Sequence, residues 1–187
     1  MNTRTLTPDP AYDLETQSLV GSWAAGLDDQ LRVLRGVVAG LGVAELEWQR
    51  SPGHNTIGML LAHLAIVEVY WIRAIAAGVT GEREVDAVVR GVLGIGMADD
   101  GIPLAAGGGH PAVLAGRGVD AYLTLLDGAR AATHDVLRSW RDDELGRTCE
   151  VKDARVSRGW IVYHVLEHFS GHLGQIRVIL RDLRSGS

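Results

Sequence analysis

Apolar residues recur at steps of three and four along four stretches of the chain, the period of a helix with one buried face. In the first stretch the stripe is Leu19, Val20, Trp23, Leu27, Leu31, Leu34 and Val38, and it predicts a helix over about residues 14–41. The Gly-Val-Ala segment at residue 42 either continues it or breaks it. Pro52-Gly53 then signals a turn. Asn55 or Thr56 caps a second helix, which runs to about Ala77 and stops at Gly78. Its stripe of Leu60, His63, Val67, Tyr70 and Ala74 places His63 among the apolar residues, toward the core. Tyr122, Leu125, Leu126, Ala129, Thr133, Val136, Leu137 and Trp140 predict a third helix over about Val119–Trp140. Ser157 caps a fourth, reaching about Leu183, with Ile161, Val165, His168, His172, Ile176 and Ile179 on its buried side.

The connections are uneven. Residues 78–117 are glycine-rich and weakly periodic, with Gly107-Gly108-Gly109, Pro103 and Pro111, and with room for a short helix near Glu82–Leu93. Loops this long inside a compact domain are uncommon and are often functional. Asp142-Asp143-Glu144-Leu145 opens a shorter connection, which includes an extended segment through Cys149 and Val151. There is no internal repeat and no convincing set of strands. Four long amphipathic helices imply an all-α helical bundle, with residues 1–187 as a single domain.

Composition narrows the function classes. Nearly half of the 187 residues are apolar, the net charge is −5, and the one lysine is Lys152. The scattered arginines build no phosphate-binding stripe, which argues against a nucleic-acid partner. The single cysteine, Cys149, excludes an intrachain disulfide framework and fits a reducing cytoplasm. The first ten residues hold no apolar run of signal-peptide length. Ile57 to Ala77 is the most membrane-like stretch, but His63, Glu68 and Arg73 are costly at membrane depth, so a buried helix is expected instead.

Candidate chemistry lies with the histidines. His164, His168 and His172 stand at four-residue steps on the fourth helix. A step of four rises about 6 Å and a step of eight about 12 Å. Two imidazole nitrogens on one zinc-like ion lie at most about 4 Å apart. The three therefore cannot share an ion from a regular helix. One adjacent pair must be chosen, and another helix must supply a further ligand, for which His63 is the candidate. His63 taken alone is more often a hydrogen-bonded core residue than a ligand. His164-Val165-Leu166-Glu167-His168 also matches the H-x-x-E-H peptidase pattern. No Glu follows Glu167 and only Asp182 remains as a downstream carboxylate, so that pattern is set aside.

Two segments carry a family resemblance. Pro52-Gly53-His54-Asn55-Thr56-Ile57-Gly58-Met59-Leu60-Leu61-Ala62-His63-Leu64 is similar to the second-helix signature of the DinB-like (YfiT-type) superfamily. His164 to Ile176 resembles its last-helix signature, an H-x-x-x-H followed by a short Gly-Gln element. The resemblance implies a four-helix bundle with an up-down-down-up path and a long crossover between helices two and three. It implies a divalent metal, zinc or nickel most often, on His63, His168 and His172. His164 and Gln175 then become supporting or pocket residues. It also implies a homodimer.

Three histidines leave open coordination positions, which in zinc-like sites signals catalysis rather than a structural role. An open position holds water with a lowered pKa, or a thiolate. Some members of the superfamily resemble enzymes that join low-molecular-weight thiols to electrophiles, and others carry a hydrolase label. The first expectation is thus a metal-dependent transferase that activates a small thiol cosubstrate. The alternatives are a metal-water hydrolase and a non-catalytic dimeric binding or stress-response protein. No general base is named. Glu68 is expected on the solvated side or against a neighbouring helix, and Tyr70 and Trp71 are expected in packing more than in a pocket. His54, His110 and His134 are expected in solvent or in loops, and Cys149 is expected to be incidental.

Overall fold

The computed structural model describes residues 5–152 and 154–186. Six α-helices lie among the described residues: α1 (Ser18–Val38), α2 (Val43–Leu46), α3 (Ile57–Val69), α4 (Glu82–Leu93), α5 (Val119–Leu137) and α6 (Arg158–Ser185). A π-helical turn, Tyr70–Ala74, and a 3-10 turn, Ile75–Ala77, extend α3 as far as Gly78. Gly78 ends the run at φ 83°, a left-handed conformation that glycine adopts without steric cost. Antiparallel strands β1 (Thr148–Val151) and β2 (Ala154–Ser157) form a hairpin in which Thr148 pairs with Ser157 and Val151 with Ala154. That hairpin is a small addition to the expected all-helical chain.

The four long helices pack on one another in pairs: α3 lies against α5 and α6, and α1 lies against the same two. Each helix forms where its local sequence allows. The Thr56 hydroxyl accepts the Met59 N–H at the start of α3, and the Ser157 hydroxyl accepts the Trp160 N–H at the start of α6. Asp142, more than 120 residues further along the chain, caps α1 by accepting from the backbone of Leu19 and Val20 and from the Ser18 hydroxyl. The apolar stripe Leu19–Val38 is all within α1, but the helix is shorter than the expected span 14–41, because residues 9–17 form turns held by Asp9 and Asp13. The third stops at Leu137, and Trp140 packs from the following turn.

Among the described residues, Ile57–Ala77 is the one stretch long and apolar enough to cross a membrane, and 72 % of its most apolar window is buried inside the fold. Helix α3 is central, so almost every face of it is covered. The exceptions are His63, Val67 and Tyr70, which are only partly buried. The stripe expected to face the core is thus only half enclosed: Leu60 and Ala74 are buried, while His63, Val67 and Tyr70 between them stay partly open.

Glu68 is also placed differently from one of its two expected settings. It is 1 % exposed and pairs with the buried Arg130 of α5, at 2.8 Å from Nε and 3.1 Å from Nη2. The neighbouring-helix alternative is the one observed. His134 is not solvent-facing: its Nε2 donates to Asp28 and its Nδ1 meets the Tyr12 hydroxyl at 2.9 Å. His110 lies in a loop as expected, yet is largely buried, with Nδ1 on the Thr56 hydroxyl. His54 is exposed. Cys149 is buried in β1, which forms where an extended segment through Cys149 and Val151 was expected.

Candidate metal centre

His63 lies near the middle of α3, while His168 and His172 stand one turn apart on α6, whose packing against α3 brings the three rings together. Nε2 of His168 is 3.1 Å from Nε2 of His63 and 3.0 Å from Nε2 of His172. One ligand atom from each of the three lies within 4.8 Å of the others. Nitrogens about 3.3 Å apart are what a tetrahedral ion with bonds of about 2.0–2.1 Å needs.

The outer edges of two of these rings are tied down. Nδ1–H of His63 donates to Oδ2 of Asp100 at 2.8 Å, and Nδ1–H of His172 donates to Oε1 of Gln175 at 2.8 Å. With the proton on Nδ1 in both rings, each Nε2 presents a bare lone pair toward His168. Nε2 of His168 carries at most one proton, so it satisfies at most one of those lone pairs. Hydrogen bonding alone leaves an opposed lone pair in a partly buried site, and a shared cation resolves it. The residues present therefore fit a divalent metal with nitrogen ligands, in the arrangement where an acceptor on the far ring nitrogen fixes the tautomer. Burial, followed by the nearby His172 and His63, holds His168 down to about 3 from an ordinary 6.5. Burial also lowers His172. Both rings are thus neutral at pH 7, the form in which imidazole binds metal.

Asp100 is positioned by a tethered loop. Asp86 of α4 accepts the Met97 N–H, Asp99 accepts the Gly96 N–H, and Oδ1 of Asp100 accepts the Ile102 N–H. The sequence reading missed Asp100, because no spacing rule links residue 63 to a carboxylate in a weakly periodic loop. Gln175 was found because it lies one helical turn beyond His172. His164 does not join the cluster. Its ring stacks on Trp160 at 4.7 Å and 7°, meets Trp71 edge-on at 5.2 Å, and stands 5.9 Å from the His168 ring. Trp71, Trp160 and His164 form an aromatic wall beside the cluster, and Trp160 was not anticipated in it. The π-helical turn that carries Trp71 is a form of helix frequent at functional sites.

The model of the DinB superfamily matches residues 27–176, a span that contains all three clustered histidines. The chain belongs to the DinB superfamily. Superfamily members commonly bind metal, in accord with the fit of these residues. Two solved structures share the DinB-like fold. One is a conserved protein from Enterococcus faecalis, with 17 % identity and a TM-score of 0.63, in a match covering 91 % of this chain and 98 % of that one. The other is a DinB-like protein from Bacillus cereus, with 15 % identity and a TM-score of 0.53, covering 87 % and 91 %. No curated protein matches the sequence.

Proposed function

We propose that this DinB-superfamily protein is a metal-dependent enzyme that activates a small thiol for transfer of its sulfur to an electrophile. The observation that carries the reading is the convergence of three imidazole Nε2 atoms with Asp100 and Gln175 behind two of them. His63, His168 and His172 are the proposed ligands, and zinc or nickel suits their nitrogen set. A divalent ion there supplies positive charge that ionises a bound thiol near neutral pH. Three protein ligands leave room for that thiol.

A thiol suits the surrounding residues better than water does. A divalent ion held there would favour the thiolate without a protein base, and both oxygens of Asp100 already accept hydrogen bonds, from His63 and from the Ile102 N–H. The thiol proton leaves to solvent. The sulfur lone pair then forms a bond to the electrophilic carbon, and the leaving group departs with the pair it shared with that carbon. The Trp71–Trp160–His164 wall offers flat apolar surface on which such an electrophile can rest. The four long helices are read as a bundle with an up-down-down-up path.

Elemental analysis joined to a conjugation screen tests this reading. Protein purified from metal-replete medium is expected to hold close to one ion per chain and to accelerate conjugation of small thiols with aryl or alkyl halides, in which halide is the leaving group. Protein that takes up no metal, or loaded protein that conjugates no thiol, overturns it.

A further inference from the structure

A cavity of about 560 Å³ lies in the corner between the turns that end α3, the start of α4 and the tip of the β-hairpin. Its volume falls within the usual range for small-molecule sites. Packing on both sides holds the corner in place. Cys149 of β1 is buried, with its thiol 3.8 Å from the Ala76 carbonyl, which seats the hairpin on the 3-10 turn. Val85 of α4 is buried in the same apolar cluster as Ile75. The proposed metal ligands do not line this cavity. Tyr70, which does, follows His63 by seven residues, about 10 Å along the helix.

The walls are apolar and the rim is charged. Ile75, Val85, Met97 and Val151 supply the apolar surface. Glu82 stands at the rim on the α4 side, and Glu150 and Lys152 stand on the hairpin side. Glu150 already meets Arg155 across the hairpin at 3.3 Å. The side chains of Glu82 and Lys152 pair neither with each other nor with any other group among the described residues. They present one unspent negative charge and one unspent positive charge beside an apolar floor. Tyr70 and Thr80 add hydroxyls that have no hydrogen-bond partner among the described residues. Burial raises the Tyr70 hydroxyl above its ordinary value, which keeps it a donor.

A solvated surface charge needs no partner, so exposure alone does not single out these residues. Lys152 carries a second signal. It is the chain's one lysine, and it occupies a left-handed backbone position at φ 50°. Glycine and asparagine adopt that conformation with less strain than lysine does. A turn that keeps lysine there gives up stability, and an ammonium used to hold a ligand explains why.

We propose that this cavity binds an apolar zwitterion, an α-amino acid or dipeptide with aliphatic side chains. Its carboxylate takes the Lys152 ammonium and a hydroxyl of Tyr70 or Thr80. Its ammonium takes Glu82, and its side chains lie on Ile75, Val85, Met97 and Val151. A purely anionic or cationic ligand leaves one rim charge unused, whereas a zwitterion uses both. An extended dipeptide sets its terminal charges about 7 Å apart, a span that two rim groups on opposite sides can bracket. The site is separate from the histidine cluster, and the inference stands whether or not that cluster activates a thiol.

Titration calorimetry on metal-loaded protein compares L-leucine and leucyl-leucine with three controls. Leucinamide has no carboxylate, N-acetylleucine has no ammonium, and glycine has both charges without the apolar side chain. Each control is expected to bind at least about fivefold more weakly than leucine, as for loss of one charge-assisted hydrogen bond or of a buried aliphatic group. Lys152→Met should weaken leucine by a similar factor and leave leucinamide unchanged. Glu82→Gln should weaken leucine and leave N-acetylleucine unchanged. Both positions are exposed, so both variants should keep the parent Tm. Tighter binding of either leucine or leucyl-leucine supports the site and tells which of the two it suits. Absence of saturable heat from both, or equal binding of leucine and glycine, overturns the proposal.

Amino acids also chelate metal ions, so the titrations are repeated on His63→Ala protein stripped of metal. Leucine binding that persists there, and still falls with Lys152→Met, supports the cavity. Binding that vanishes with the metal yet survives Lys152→Met and Glu82→Gln places the amino acid on the ion and overturns the proposal.

Discussion

At the scale of single residues, the site stands on three rings and the two groups that aim them. Replacing a proposed ligand should differ from replacing an aiming group. His63→Ala is expected to reduce bound metal to under about a tenth of an ion per chain, measured by elemental analysis. Asp100→Asn keeps the shape and loses the charge, so metal should still bind, with affinity lowered about 10- to 100-fold. Equal losses from the two variants would contradict the division of roles. The metal-free protein should also show a defined acid response. His168 titrates near 3 when folded and near 6.5 when unfolded, so between those values the unfolded chain holds the extra proton. Its stabilising contribution is fully present above pH 6.5 and is lost as pH falls toward 3. Thermal denaturation of metal-free protein should therefore show a Tm that declines below about pH 6.5, with a shallower slope in His168→Gln. The ligand histidines were legible because helical spacing limits which rings can meet. Asp100 was not, because a loop residue carries no period.

At the scale of elements, α3 and α6 matter most, and each starts at a hydroxyl that can be tested. Thr56→Ala removes the α3 cap and the contact to His110, and should cost about 1 kcal/mol in chemical denaturation. Gly58, the second residue of α3, is a tighter constraint. A Cβ there would lie 2.5 Å from the Tyr122 hydroxyl and 3.0 Å from Cε1 of His110. Gly58→Ala is expected to cost about 1–3 kcal/mol, as overpacking does, and to loosen the loop around His110. A neutral outcome would show that α5 and the loop yield easily. The helix starts at Thr56 and Ser157, the short helix Glu82–Leu93 and the stop at Gly78 were readable from caps, charges and glycine. The π-turn at Tyr70–Ala74 was not, since an inserted residue leaves the local composition unchanged. Periodicity also misjudged which face of α3 is open, because a helix apolar on all sides has no single stripe.

Across the whole molecule, a polar network ties three of the long helices together. Arg130 of α5 bonds Glu68 of α3, and its Nη1 donates to Asp28 of α1 at 3.0 Å. Asp28 also accepts from His134, which reaches Tyr12. Arg130→Met leaves Glu68 buried without its partner and should cost about 3–5 kcal/mol, whereas Glu68→Leu combined with Arg130→Met should recover most of that loss. Urea denaturation of the single and double variants measures the difference, and an additive loss would refute the coupling. None of these partners was apparent from the chain, since they lie 62 to 122 residues apart in sequence. What the order of residues settles alone is local: where helices begin and end, which histidines share a face, and that a second helix must complete their site. Those features follow from hydrogen bonds and rotations within a few residues. Which loop carboxylate aims His63, which face of α3 stays open, and how Arg130 comes to bond both Glu68 and Asp28 arise only once distant segments pack. Each of those depends on the distance between helices, a quantity with no local signature.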